Sequence, residues 1–280
     1  MNKFKQFLTK RNIFFSIIFV LGIAIIIFPL VSQFQYHQAS RVEIEQFEEN
    51  ISKIDTSEIK NRIELANAYN QALLENTNNG QDIEISDPYS DEEEADGLAE
   101  YARMLEVNEQ IGTVKIPKIS EEIPIYAGTT ESALQKGAGH LEGTSLPVGG
   151  NNTHSVITAH RGLPSARLFT DLDKLEIGDK FYIQNLKETL AYEIDDITVI
   201  EPHEIDYLAI IPNKDYITLL TCTPYMINTH RLLVRGHQVQ YEKGEIQKDQ
   251  GINGLWKIII FISIILLLLL IINMYKKNKI

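Results

Sequence analysis

The sequence contains only one cysteine, Cys222, among its 280 residues. A lone thiol excludes an intrachain disulfide. A zinc site is excluded as well, because such sites draw on paired cysteines or on histidines at ligand spacing, and the seven histidines here are dispersed. Cys222 is therefore either an inert, buried apolar side chain or a reactive thiol.

Positive charge is also scarce, with 26 Lys and Arg against 38 Asp and Glu and a formal net charge of −12. Nucleic-acid binding needs basic groups that neutralise phosphates, so the composition argues against a nucleic-acid partner. The two ends of the chain, residues 1–34 and 255–280, contain no Asp or Glu at all. The negative charge is therefore concentrated in the segment between them.

Each end of the chain contains a long uncharged hydrophobic run, at residues 13–31 and 258–272. The first has the length of a membrane-spanning helix, and flanking apolar residues bring the second to that length. Neither run shows the polar face of a helix that packs on a soluble core. We therefore predict two transmembrane helices.

Lysines flank these runs on their outer sides, among them Lys3, Lys10 and Lys276. The positive-inside tendency then places both termini in the cytoplasm and the middle of the chain outside the cell membrane. The first run could instead be a cleaved signal peptide, because a basic segment precedes it. Its length and the lack of a clean small-x-small site favour a retained anchor.

Two apolar stripes at helical spacing occupy residues 38–75, and Asp55 with Glu58 resembles a helix start between them. This pattern predicts a helical hairpin. The following residues, 76–97, are acidic and rich in turn formers, which is typical of a linker or a functional loop. Within them the short sequence "DPY", Asp87-Pro88-Tyr89, combines a stiff backbone with an aromatic ring, which linkers rarely need.

Short segments rich in β-branched and aromatic residues fill the chain from about residue 108 to 241, separated by Gly, Pro, Asn and Asp. So many short strands predict a mainly β fold, a closed or nearly closed barrel.

Cys222 follows the strand-like "ITLL", and His160 ends another strand in "SVITAHRG". Strand ends at one rim of a barrel can bring such residues together. A reactive thiol needs a basic or cationic neighbour and a donor for the developing oxyanion. Arg231 and Arg235 are both candidates because residues four apart lie on one face of a strand. Spacing alone does not choose between them.

Three stretches together resemble the class C, pilin-polymerising branch of the sortase family: "TLLTCTPYMINTHRLLVRG", "THSVITAHRGLPSARLFTDLDKLEIGD" and "DPY". The resemblance covers roughly residues 35 to 275. It implies an eight-stranded sortase barrel with a Cys, His and Arg triad, here Cys222, His160 and, by the Cys-x8-Arg spacing of class C, Arg231. Arg235 is the fallback, because class A sortases have a longer interval.

The resemblance also implies that "DPY" is a mobile lid over the active site, with Tyr89 covering Cys222 and Asp87 near Arg231. Two residues depart from the familiar pattern. Tyr89 stands where Trp or Phe is usual, and Met226 stands where Gly is expected after "TCTPY".

The implied organisation has seven parts in chain order. These are a basic tail with a transmembrane anchor or signal (1–34), a helical hairpin (35–75), an acidic lid loop with a short helix (76–107), a catalytic barrel (108–243), a linker (244–254), a transmembrane helix (255–275) and a basic cytoplasmic tail (276–280).

The function implied by the resemblance is transpeptidation, in which an LPXTG-like sorting signal is cleaved between Thr and Gly and joined to a pilin lysine. The expected partners are pilin subunits, and no cofactor is expected. Three alternatives remain: a housekeeping sortase that anchors proteins to the cell-wall precursor, a cysteine endopeptidase, and a non-catalytic assembly scaffold.

Overall fold

The structure, a computed structural model, describes residues 10–78, 85, 87–89, 103–242 and 244. The predicted second transmembrane segment, 255–275, and most of the acidic segment 76–97 lie outside the described residues.

Two helices precede the barrel, α1 at Lys10–Ile51 and α2 at Thr56–Asn78. The N-terminal part of α1 is apolar and exposed, and α1 is the one helix in the described ranges that is long and apolar enough to cross a membrane. The helix continues without a break past residue 34, where the sequence pattern suggested a boundary. The membrane-length segment and the first arm of the hairpin are thus one helix.

The helical pair predicted from the apolar stripes is confirmed. Asp55 caps α2, since its carboxylate accepts a hydrogen bond from the backbone N–H of Ser57 at 2.7 Å. Phe47 of α1 and Ala66 of α2 are fully buried and belong to the same apolar core as the barrel interior.

Polar contacts fasten both helices to the barrel. The hydroxyl of Tyr126 donates to Glu43 of α1 at 2.7 Å. In α2, the buried side chain of Asn70 makes two hydrogen bonds to the backbone of Leu146. Its amide donates to the Leu146 carbonyl at 3.1 Å, and its oxygen accepts from the Leu146 N–H at 2.7 Å.

Eight strands form the closed barrel that the sequence and the resemblance predicted. In chain order they are β1 (Gln110–Ile116), β2 (Glu121–Ala127), β3 (Ala138–His140), β4 (Thr153–Thr158), β5 (Lys180–Gln184), β6 (Thr189–Ile200), β7 (Asp215–Thr223) and β8 (His230–Val239). Around the barrel the order is β1-β2-β3-β4-β7-β8-β6-β5. A short helix, α3 (Glu131–Lys136), connects β2 to β3.

Alternation along β7 separates two apolar surfaces. Ile217 and Leu219 belong to the core inside the barrel. Leu220 points the other way, to the outer surface, as does Cys222 two residues further on. There Leu220 joins a second group, the outer apolar cluster, which consists of Leu141, Val156, Ile200, Leu208, Leu220 and Leu233. Ile85 and Tyr89 of the acidic segment pack against this cluster.

The Asn70 contact yields a prediction for stability. Asn70→Ala leaves a buried N–H and a buried carbonyl of Leu146 without their partners, and we expect a loss of about 2–3 kcal/mol in the free energy of unfolding. Thermal unfolding of the full-length protein in detergent should show a correspondingly lower Tm. Gln71→Ala, on the exposed side of the same helix, is the control. Equal Tm values for the two variants would contradict the assignment.

Candidate active site

The pairing of β4 with β7 brings Cys222 and the end of β4 to the same rim of the barrel. The two strands are parallel and in register, with Thr158 opposite Leu220. The pairing continues past β4, because the Ala159 N–H donates to the Leu220 carbonyl at 3.2 Å. The Thr221 hydroxyl in turn donates to the Ala159 carbonyl at 2.7 Å. His160, the next residue, therefore leaves the sheet beside Cys222.

The antiparallel pairing of β7 with β8 distinguishes Arg231 from Arg235. Arg231 is the direct cross-strand neighbour of Cys222, and both are 6% exposed. Arg235 pairs instead with Thr218, four residues further along the strand from the rim. There its guanidinium lies 4.5 Å from the centre of the Tyr216 ring and donates to Asp195 at 2.9 Å.

Asp87 of the "DPY" segment binds Arg231 through both carboxylate oxygens. The Arg231 Nε donates to Asp87 Oδ1 at 2.7 Å, and Nη2 donates to Oδ2 at 2.5 Å. The remaining terminal nitrogen, Nη1, donates to the carbonyls of Asn228 and His230, each at 3.1 Å. The pair is almost fully buried, with side-chain exposures of 7% for Arg231 and 14% for Asp87.

Tyr89 lies between the same elements. Its hydroxyl donates to the Ala159 carbonyl at 2.7 Å and lies 2.8 Å from the Thr158 hydroxyl. Its ring centre is 5.6 Å from that of His160 and 5.2 Å from the Arg231 guanidinium carbon. The segment thus contacts two of the three residues expected to form the triad, and it covers the outer apolar cluster next to the third.

This arrangement disfavours the thiolate form of Cys222. Burial raises the pKa of the thiol to about 11; the nearby Arg231 lowers it, and Asp87 raises it. Burial, followed by the charge of Cys222, raises the pKa of Tyr89 as well. At neutral pH the closed site therefore holds a thiol and a neutral phenol.

Two other histidines are structural. His140 is fully buried and hydrogen-bonds to the Ser145 carbonyl, and His154 bridges the Ala209 carbonyl and the Thr218 hydroxyl. Burial lowers the pKa of each to about 4. Within the described ranges, no group of His, Cys, Asp and Glu side chains has the arrangement of a metal site.

The sequence patterns missed two charged residues at the site. Arg161, directly after His160, donates to the Thr223 hydroxyl at 2.9 Å and pairs with Asp173 at 2.6 Å. It therefore links the segment after β4 to the end of β7. Glu131 of α3 places Oε2 3.3 Å from His160 Nε2. The only signal for Arg161 was its position beside His160, and Glu131 had none.

Met226 occupies the position where the resemblance led us to expect glycine, and its φ is +65°. That left-handed conformation favours glycine, because an L side chain adopts it with strain. The Met226 side chain is 69% exposed. Met226 therefore holds a backbone conformation that glycine would adopt without strain.

Comparisons with known proteins agree with this geometry. A family model described as the sortase domain matches residues 114–239. The solved structure of sortase C1 of GBS pilus island 1 is 55% identical with a TM-score of 0.70, over 73% of this chain and 100% of that one. The lid mutant of Streptococcus agalactiae sortase C1 is 53% identical with a TM-score of 0.66, over 71% of this chain and 98% of that one.

Among curated proteins, sortase A of Bacillus anthracis is 29% identical over 143 residues, which is 51% of this chain and 66% of that protein. The first curated relatives are matched over 47% to 66% of their own length. The solved structures are matched far more completely. Because the match at 55% identity spans the whole of a sortase C chain, the protein belongs to the sortase family and to its class C branch.

Proposed function

We propose that this sortase is a cysteine transpeptidase that polymerises pilus subunits. It cleaves an LPXTG-like sorting signal between Thr and Gly, holds the acyl group as a thioester, and transfers it to a pilin lysine. The observation that carries the proposal is the placement of Cys222 directly opposite Arg231, at the rim where β4 delivers His160.

Each of the three side chains has a role that its chemistry supports. Cys222 attacks the Thr carbonyl carbon. His160 protonates the leaving glycine amine and later accepts a proton from the incoming amine. Arg231, fixed by two backbone carbonyls, donates to the oxyanion that develops on the carbonyl oxygen. No metal or organic cofactor is required.

We further propose that Asp87, Pro88 and Tyr89 form an autoinhibitory lid. The Asp87 carboxylate occupies the Arg231 donors that the oxyanion needs. Ile85 and Tyr89 cover the outer apolar cluster, which is the apolar surface next to Cys222 and suits the leucine and proline of a sorting signal. The sorting signal and the lid therefore compete for one surface.

The assignment to pilus assembly is supported by the lid and by the likeness to sortase C1 of GBS pilus island 1. A housekeeping sortase is the second candidate, and incubation of the protein with purified pilin separates the two, since polymers form only in the first case. A simple endopeptidase is the third. It would give the same hydrolysis product with and without an added amine.

We place the barrel outside the cell. In this proposal α1 crosses the cell membrane, residues 255–275 cross it a second time, and both termini lie in the cytoplasm. The apolar, exposed N-terminal part of α1 supports the first crossing, and the lysines that flank both runs support the orientation.

Removal of the nucleophile tests the reaction itself. Cys222→Ala should abolish pilin ladders on immunoblots and lower cleavage of a quenched LPXTG peptide by at least about a thousandfold, as expected when a catalytic nucleophile is lost. Because Cys222 is the only cysteine, a thiol reagent provides a matched control on the unmodified chain. Ladders that persist in the variant would rule out the thioester mechanism.

A pair of arginine variants tests the assignment of the oxyanion donor. Arg231→Ala should lower kcat/KM for the peptide by about a hundredfold or more, because one oxyanion donor contributes on that order. Arg235→Ala removes an equal charge from the same strand face and should change kcat/KM by less than about threefold. A larger loss for Arg235→Ala than for Arg231→Ala would overturn the choice.

Opening the lid should expose the thiol. In the double variant Asp87→Ala, Tyr89→Ala, the burial and the carboxylate that raise the pKa of Cys222 are removed, so the pKa falls and the thiolate fraction at neutral pH rises. We expect labelling by a thiol reagent at pH 7.5 to be about tenfold faster or more, with a lower midpoint in its pH profile.

The control for this experiment is Glu109→Ala with Tyr241→Ala, which removes a carboxylate that pairs with Lys136 and a phenol that contacts Tyr182. It should label at the rate of the unmodified protein. If the lid variant labels no faster than this control, the segment has no regulatory role.

A further inference from the structure

One carboxylate next to the proposed base remains open to solvent while the rest of the site is closed. Glu131 is 68% exposed in its side chain, and its Oε2 lies 3.3 Å from His160 Nε2. By contrast, Cys222 and Arg231 are each 6% exposed. Within the described residues, the lid therefore leaves the Glu131 side of His160 uncovered, and this side carries a negative charge.

The position of Glu131 is well defined although it is exposed. It begins α3, whose N-cap is Thr130. The side-chain amide of Gln135, one helical turn later, donates to Glu131 Oε1 at 2.5 Å and thereby leaves Oε2 for His160. The neighbouring cation of α3, Lys136, pairs with Glu109 at 3.0 Å. Among the described residues, His160 is the one basic side chain within 4 Å of the Glu131 carboxylate.

Transfer of the acyl group to a lysine requires a carboxylate in this position. A lysine reaches the site as an ammonium ion and becomes nucleophilic only after it loses a proton near His160. A carboxylate beside the imidazole attracts the ammonium and holds it within reach of Nε2. The sorting signal makes no comparable demand, because it brings no ammonium group to the site: its scissile amide is neutral when Cys222 attacks the carbonyl.

We propose that Glu131 is the acceptor subsite of this transpeptidase, which binds the ammonium group of the incoming lysine next to His160. The inference rests on the proposed function and adds the residue that selects a cationic nucleophile. In the transfer step the amine nitrogen forms a bond to the thioester carbon and the carbon–sulfur bond breaks. Of the two protons that the ammonium loses, one restores the Cys222 thiol and the other leaves through His160 to solvent.

Two other roles for Glu131 make different predictions. If it only stabilised the start of α3, its loss would lower stability and leave the choice of nucleophile unchanged. If it only oriented His160, its loss would slow formation of the acyl-enzyme as much as its transfer. If Glu131 binds the acceptor lysine, its loss changes how the acyl-enzyme divides between lysine and water, and the rate of acyl-enzyme formation stays the same.

The test uses the full-length protein in detergent, with the lid substitutions Asp87→Ala and Tyr89→Ala as a common background. A quenched LPXTG peptide reports cleavage, and mass spectrometry reports the products. Two nucleophiles compete with water: Nα-acetyl-lysine amide, a cation at the assay pH, and hydroxylamine, which is neutral. Glu131→Gln keeps the shape of the side chain and one accepting oxygen, and it removes the negative charge. Glu109→Gln is the matched control.

We expect Glu131→Gln to lower the ratio of lysine adduct to hydrolysis product by roughly fivefold, through a higher KM for the lysine, as for loss of a partly exposed ionic contact. The hydroxylamine adduct and the cleavage rate without amine should stay within about twofold of Glu109→Gln, since neither depends on an ionic contact. Three results would each overturn the inference. They are a fall of the same size in the lysine and hydroxylamine adducts, a cleavage rate that falls as much as the lysine adduct, and an unchanged ratio of lysine adduct to hydrolysis product. If the lid variant without a substitution at Glu131 showed no Cys222-dependent cleavage, the proposed function itself would be overturned.

Discussion

The in-register pairing of β4, β7 and β8 fixes the positions on which the whole site depends. Because β4 and β7 run parallel, they end at one rim, and the residue after β4 emerges beside the end of β7. Because β8 returns antiparallel, Arg231 lies opposite Cys222. A slip of one residue in β7 would turn Cys222 into the barrel core and a core side chain outward, so burial of the core protects the geometry of the site.

In the proposed autoinhibition, the lid depends on the same strand pairing. An ion pair buried as deeply as Asp87 with Arg231 loses hydration on both sides, and only good geometry offsets that loss. Here the carboxylate is bidentate and the guanidinium is also held by two backbone carbonyls. The closure that forms this pair also dehydrates Cys222 and raises the pKa of its thiol. One set of contacts thus occupies the proposed oxyanion donor and protects the proposed nucleophile.

Local patterns predicted those parts of the molecule that depend on neighbours in sequence. Apolar stripes and the Asp55 cap identified the helical pair, and the strand-like segments identified the barrel. Arg231 and Arg235 could not be separated in that way, because both lie on one face of β8 and only the register with β7 shows which is opposite Cys222. Glu131 was out of reach, since it is 29 residues from His160 and carries no local motif.

In the proposed autoinhibition, a lid on the same chain raises the free energy needed to bind any substrate. The apparent affinity for a free sorting signal falls in proportion to the fraction of molecules with the lid open, and the lid competes at an effective concentration of about millimolar, as tethered segments do. A sorting signal in free solution competes poorly under these conditions. A sorting signal held at the same membrane gains the same advantage as the lid, because tethering raises its local concentration too. The helix α1 joins the apolar N-terminal segment to the barrel without a flexible linker. In the proposed membrane topology, this continuous helix therefore does more than attach the protein, because it keeps the site at a fixed distance from the surface on which such substrates would be presented.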